Sequence, residues 1–162
     1  MANGLFSEAV AAISDCHGLI DKFMGDAVMA LFNTPLNPQE NHAELAVKAA
    51  LMIQTRLSAY RRTLPPEKLL YFGIGIHTGD AVVGNVGSEQ RKDYSAVGDV
   101  VNLCKRLQEL AGADQILISG DVFDCVREGV LVESLPPVQV RGRQAQEKVY
   151  RLLGAVNGFI QP

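Results

Sequence analysis

The stretch GLIDKFMGDAVMALF, residues 18–32, holds two apolar runs on either side of Gly25-Asp26. Two runs closed through a glycine-containing pair predict a β-hairpin, with strands over 19–24 and 27–32. Around this hairpin the apolar spacing changes to three and four. Leu5, Ala9, Ala12, Ile13 and Cys16 predict a helix over 4–16, with Gly18 placed to end it. Ala43, Ala46, Val47, Ala50, Ile53 and Leu57 form one stripe of a long helix over 40–62. The prolines and asparagines of 33–39 mark a loop, and Pro65-Pro66 stops the long helix from continuing.

Downstream, LLYFGIGIH (69–77) and DAVVGNV (80–86) read as strands, GSEQRKD as a polar loop and YSAVG as a short strand. A helix over 99–110 follows, with Val100, Leu103, Leu107 and Leu110 as its apolar face. QILIS (115–119) reads as a strand, and Ser119 as the N-cap of a short helix over 121–127. The tail predicts strands over 130–134, 137–142 and 147–153. No repeat, low-complexity segment or linker interrupts the pattern. Helices covering a mixed or largely antiparallel sheet describe the α+β class.

Composition narrows the function classes. With 162 residues, 48% hydrophobic and 20% charged, the chain is globular and about one ordinary domain long. Fifteen Lys+Arg against 18 Asp+Glu give a net charge of −3. Phosphate-backbone binding needs a concentrated basic face, and base stacking needs aromatics, which are 6% with no Trp. A nucleic-acid partner is therefore not expected. Three widely spaced cysteines, Cys16, Cys104 and Cys125, form no metal-ligand pattern and point to a reduced, cytoplasmic setting. No apolar run is long enough to span a membrane.

The densest chemistry lies in FGIGIHTGDAVVGNVGSEQRKDYSAVGDVVNLCKRL, residues 72–107, which holds six glycines. It contains neither GxGxxG nor GxxxxGK[ST], so the usual dinucleotide and P-loop signatures are absent. Asn102 and Arg106 are four apart on the predicted helix and share a face, about 6 Å apart along the axis. That face is not the apolar one, and a carboxamide beside a guanidinium suits a phosphoryl group as well as it suits solvent. Asp26 lies at the hairpin turn, where a carboxylate can face a divalent cation or serve ordinary turn chemistry. Lys22 follows Asp21 in an otherwise apolar strand, and an outward-facing ion pair is its plainest role. His17 and His77 have no partner at ligand spacing. Ser95 lies outside any G-x-S-x-G elbow, so a hydrolase triad is not supported.

Three segments, LIDKFMGDAVMALF, the 72–107 stretch and VQVRGRQAQEKVYRL, together resemble the catalytic domain of the class III nucleotidyl (adenylyl and guanylyl) cyclases. The resemblance runs over about residues 5–153, in family order and spacing. It implies a ferredoxin-like α+β domain working as a homodimer, with two sites at the interface. It implies a lyase that converts ATP to cyclic AMP and pyrophosphate with Mg²⁺ or Mn²⁺, in intracellular signalling, under fused or separate regulatory domains. By position, Asp26 resembles the second of two metal-binding aspartates. Lys22 resembles the residue that reads the purine edge, and lysine there is the adenylyl type. Ser95 stands where adenylyl members carry Asp or Thr. Its hydroxyl donates and accepts alike, so ATP is discriminated less strictly from GTP. Asn102 and Arg106 match the pair that orients the ribose and stabilises the transition state. Arg141 matches a triphosphate-binding lysine, and Arg91 is a second phosphate-binding candidate.

The family's first metal aspartate sits in a pattern like F-x-D-I, and nothing before residue 17 fits it. The expectation is one cyclase homology domain over 1–162, incomplete at its N-terminal side, lacking the first strand, and largely inactive alone. The competing reading is a non-catalytic, cyclase-like module that binds nucleotide or a partner chain.

Overall fold

A computed structural model describes residues 2–140, 142 and 144–159. The chain divides into two compact units. One comprises the chain through Leu70 together with Ala81–Gly98; the other comprises Tyr71–Asp80 and the chain from Asp99 onward.

In the first unit, helix α1 (Ala2–Asp15) leads into strands β1 (Leu19–Met24) and β2 (Ala27–Leu31), followed by helix α2 (His42–Arg61). The predicted α1 stripe is the buried one: Leu5, Ala9, Ala12, Ile13 and Cys16 are all core residues. It meets the α2 face of Ala43, Val47, Ala50, Ile53 and Leu57, which is also buried. An Arg56–Asp15 ion pair closes the outer edge of this helix pair. β1 and β2 pair antiparallel as expected, and the turn works because Gly25 adopts φ +61, a conformation glycine reaches without a Cβ penalty.

The second hairpin, β4 (Val82–Ser88) and β5 (Arg91–Val97), corrects the sequence reading. GSEQRKD is not a loop: the ladder runs unbroken from Val82↔Val97 to Ser88↔Arg91, turning at Glu89-Gln90. A ladder needs only backbone groups, so this hairpin extends where the sequence offers no apolar alternation to announce it.

The second unit is built on a four-stranded sheet in the order β3-β6-β8-β7, where β3 is Ile74–Ile76, β6 Ile116–Ser119, β7 Val130–Gln139 and β8 Gln146–Ala155. β3 and β6 are parallel and the other neighbours antiparallel. Helix α3 (Asp99–Leu110) leads into β6, and α4 (Gly120–Val126) follows it. Leu103 and Leu107 of α3 close on Leu117 and Val149 of the sheet. Leu110, expected on that face, is exposed at the helix end.

The strand expected over 69–77 shrinks to Ile74–Ile76, because its partner β6 spans only four residues. The tail strands split at Pro136-Pro137 in the sequence reading are one strand, β7, with a register shift between Leu135 and Val138. β7 is the sheet's edge, where proline removes no ladder hydrogen bond that the fold needs. Ser119 caps α4 as predicted: its hydroxyl accepts from the Val122 N–H at 3.3 Å and contacts His77 Nδ1 at 2.8 Å. His77 is thereby a structural group. Among the described residues no helix is long and apolar enough to cross a membrane.

Candidate nucleotide site

The first unit carries Lys22, Asp26 and Ser95. Asp26 sits at the tip of the β1–β2 turn with its side chain exposed. Lys22, on β1, is exposed and has no ion pair among the described residues. The outward Lys22–Asp21 pair anticipated from sequence is thus replaced by another arrangement. Asp21 is the extra residue of a β-bulge, since Ile20 pairs with Ala30 and Lys22 with Met29. A bulge re-aims the side chain of its extra residue. Here the Asp21 carboxylate accepts a hydrogen bond from the Ser95 hydroxyl, Oγ to Oδ2, at 2.8 Å.

Ser95 itself is 2% exposed, on β5 opposite Gly84. A longer contact to the Ala96 carbonyl, at 3.5 Å, competes poorly for its single proton. The other carboxylate oxygen, Asp21 Oδ1, is buried and has no hydrogen-bond partner. Sequence reasoning missed the Asp21–Ser95 contact. The separation of 74 positions between Asp21 and Ser95 leaves no local spacing from which to read the pair.

The second unit carries Asn102 and Arg106. α3 places both on its exposed side while Leu103 and Leu107 are buried at 1% and 0% exposure. The shared face read from the spacing of four is therefore present. Asn102 has no hydrogen bond among the described residues, and Arg106 is held only by Glu109, at 3.9 Å. An exposed pair at that distance contributes little, so the guanidinium is available to a phosphate. Between them, Cys104 faces inward and donates to the Gly75 carbonyl at 3.3 Å. Burial pushes its thiol up, with a partial opposing pull from a hydrogen bond to the His77 backbone. It is a neutral packing group and not a nucleophile. Arg141 lies outside the described residues, as does the side chain of Arg91, whose backbone opens β5.

Metal binding was tested on the donor set. Asp26 offers one exposed carboxylate, and among the described residues no three His, Cys, Asp or Glu side chains cluster to hold an ion. These residues alone do not make a two-metal site.

Comparison with known proteins shows the family. The sequence matches the family model of the adenylate and guanylate cyclase catalytic domain over residues 6–154. It is 37% identical over 156 residues to adenylate cyclase 1 of Rhizobium meliloti (strain 1021), a match covering 94% of this chain and 23% of that protein. The chain thus spans less than a quarter of that relative. Among solved structures, it resembles the guanylyl cyclase Cya2, with TM-score 0.87 and 32% identity over 95% of this chain and 79% of that one. It also resembles the adenylyl cyclase CyaB from P. aeruginosa, with TM-score 0.85 and 25% identity over 96% and 82%. The ferredoxin-like mixture of helices with mixed and antiparallel sheets is that of these cyclase domains. The family is in general metal-dependent. The chain belongs to the adenylate and guanylate cyclase catalytic domain family.

Proposed function

We propose that this domain is an adenylyl cyclase that forms cyclic AMP and pyrophosphate from ATP as a homodimer. The observation that carries the adenine assignment is Lys22, exposed beside the hairpin turn with no competing ion pair among the described residues. An ammonium donates to the N1 acceptor of adenine, whereas the N1–H of guanine is itself a donor. Ser95 belongs to the same recognition on its position in the family pattern.

In the reaction the ribose 3′ oxygen attacks the α-phosphorus, its proton leaves, and the bond from that phosphorus to the bridging oxygen breaks as pyrophosphate departs. Asn102 orients the ribose. Arg106 meets the charge that builds on the phosphoryl oxygens, which the forked guanidinium suits. Arg141 and Arg91 are assigned to the triphosphate. A Mg²⁺ or Mn²⁺ ion, if bound, would supply charge neutralisation to the triphosphate, and Asp26 is the carboxylate of this chain that would hold it. One carboxylate, the one assigned among the described residues, holds two divalent ions poorly, so slow turnover is expected of the 162-residue chain. Three free cysteines accord with work in the cytoplasm on its ATP pool.

The same single carboxylate favours a second reading, a cyclase-like module that binds nucleotide without turning it over. The test is product analysis after incubating the chain with Mn²⁺ and equimolar ATP and GTP. Slow formation of cyclic AMP in excess over cyclic GMP is expected. Cyclic GMP in equal amount would overturn the adenine assignment. A rate typical of a full enzyme would overturn the argument from one carboxylate, and no cyclic nucleotide at all would leave the binding module.

A further inference from the structure

We propose that His77 is a positioning residue of this reaction: anchored on Ser119, it fixes helix α3 against strand β3 and so sets where Asn102 and Arg106 stand. This rests on the reading of Asn102 and Arg106 as the groups that meet the ribose and the reacting phosphorus. His77 shows no partner at local spacing because Ser119 lies 42 positions away. Its Nδ1 is 2.8 Å from the Ser119 hydroxyl. Ser119 is 1% exposed, ends β6 and caps α4 through the Val122 N–H. A hydroxyl buried this deeply and already engaged by a helix N-terminus has little freedom to move. The imidazole is thereby tied to a fixed point of the sheet.

The other end of the tie is α3. The Ile74 N–H donates to the Gln115 carbonyl on the β6 side. Residues alternate along a strand, so residues 75 and 77 turn their backbone groups to the other edge. β3 is an end strand of its sheet, and there the Cys104 thiol serves them. It donates to the Gly75 carbonyl at 3.3 Å and is hydrogen-bonded by the His77 backbone. Cys104 stands two residues from Asn102 and two from Arg106. The contact has no slack, since a Cβ on Gly75 would lie 2.7 Å from the Cys104 carbonyl oxygen. The far ring nitrogen borders the first turn of the same helix: a Cβ on Gly79 would lie 3.7 Å from His77 Nε2 and 3.2 Å from Val100 Cγ2. Without the imidazole, residue 77 loses its anchor, the thiol follows it, and the turn carrying Asn102 and Arg106 shifts. A displacement of about 1 Å at a group that must meet a reacting atom costs up to about 100-fold in rate. Binding of the base, proposed for Lys22, is left in place.

The test is steady-state cyclic AMP formation with Mn²⁺, together with peptide-resolved alkylation of the cysteines by iodoacetamide. Both are measured on the wild-type chain, His77→Leu, His77→Asn and the His77→Leu/Ser119→Ala double variant. His77→Leu is expected to lower kcat about 10-fold with KM for ATP within about 2-fold. His77→Asn is expected to recover most of the loss, because its amide carries a polar atom at the place of Nδ1. Adding Ser119→Ala to His77→Leu is expected to change kcat by less than about 2-fold, since both remove one contact. Alkylation of Cys104 is expected to quicken about 5-fold or more in His77→Leu, with buried Cys16 on α1 unchanged as the control for global opening. A loss carried by KM, or a fall that His77→Asn shares in full, would make His77 merely structural and overturn the proposal. So would Cys104 alkylation at the wild-type rate. If His77→Leu loses its cooperative thermal transition, His77→Gln, whose amide sits one bond further out, carries the same comparisons with a smaller loss. A wild-type chain that forms no cyclic nucleotide overturns the cyclase reading and this inference with it, whereas turnover and Cys104 reactivity that ignore His77 overturn this inference alone.

Discussion

Lys22 and Asp21 are consecutive, yet β1 sends them to different tasks. Lys22 stays exposed, and Asp21 turns at the bulge to accept from Ser95. Substituting Lys22 by Glu therefore removes the donor proposed for the base without opening the core. The account predicts that Lys22→Glu lowers the preference for ATP over GTP by about 1–3 kcal/mol, with the melting temperature held. Paired ATP and GTP titrations check it, and an unchanged ratio would remove Lys22 from base reading. Arg106 belongs to the same class of exposed, weakly held side chains, with only Glu109 at 3.9 Å among the described residues. Arg106→Ala is predicted to lower kcat by about 100- to 1000-fold while KM moves little, since its contact is made to charge that develops in the transition state. Steady-state cyclic AMP formation with Mn²⁺ checks it. A change confined to KM would assign Arg106 to the bound triphosphate instead.

Strand β3 packs on helix α3 through a glycine. A Cβ on Gly75 would lie 2.4 Å from the Gln108 nitrogen and 2.7 Å from the Cys104 carbonyl oxygen, both helix backbone. Neither can swing aside as a side chain tip would, so strand and helix must part. Gly75→Ala is predicted to cost at least about 2 kcal/mol and to lower the melting temperature by about 5 °C or more. A thermal melt within 1–2 °C of wild type would contradict that packing. The elements that were legible in the sequence share one property: a local signal that coincides with burial. Gly25-Asp26 announced the β1–β2 turn, the α1 stripe of Leu5 to Cys16 announced its buried face, and Ser119 announced the α4 cap. The elements misread lack that coincidence. The β4–β5 ladder runs through polar residues, and β7 carries its prolines at a sheet edge where they do no harm. The Asn102/Arg106 face was legible because helix geometry fixes it over one turn. The Asp21–Ser95 hydrogen bond was not, because it joins two hairpins that only the folded chain brings together.

The chain is two compact units, and its candidate residues divide between them: Lys22, Asp26 and Ser95 in one, Asn102 and Arg106 in the other. In the proposed reaction the first group is assigned to the base and, through Asp26, to the metal-bound phosphates, and the second to the ribose and the reacting phosphorus. Family membership alone leaves the base open, since the chain resembles solved domains of both a guanylyl and an adenylyl cyclase. What decides it in this account is local, the exposed ammonium of Lys22 on β1. The most direct measurement is a calorimetric titration of the 162-residue chain with ATP and with GTP, each in the presence of Mn²⁺. The account predicts a dissociation constant for ATP about tenfold or more below that for GTP. Equal affinities, or tighter binding of GTP, would contradict it.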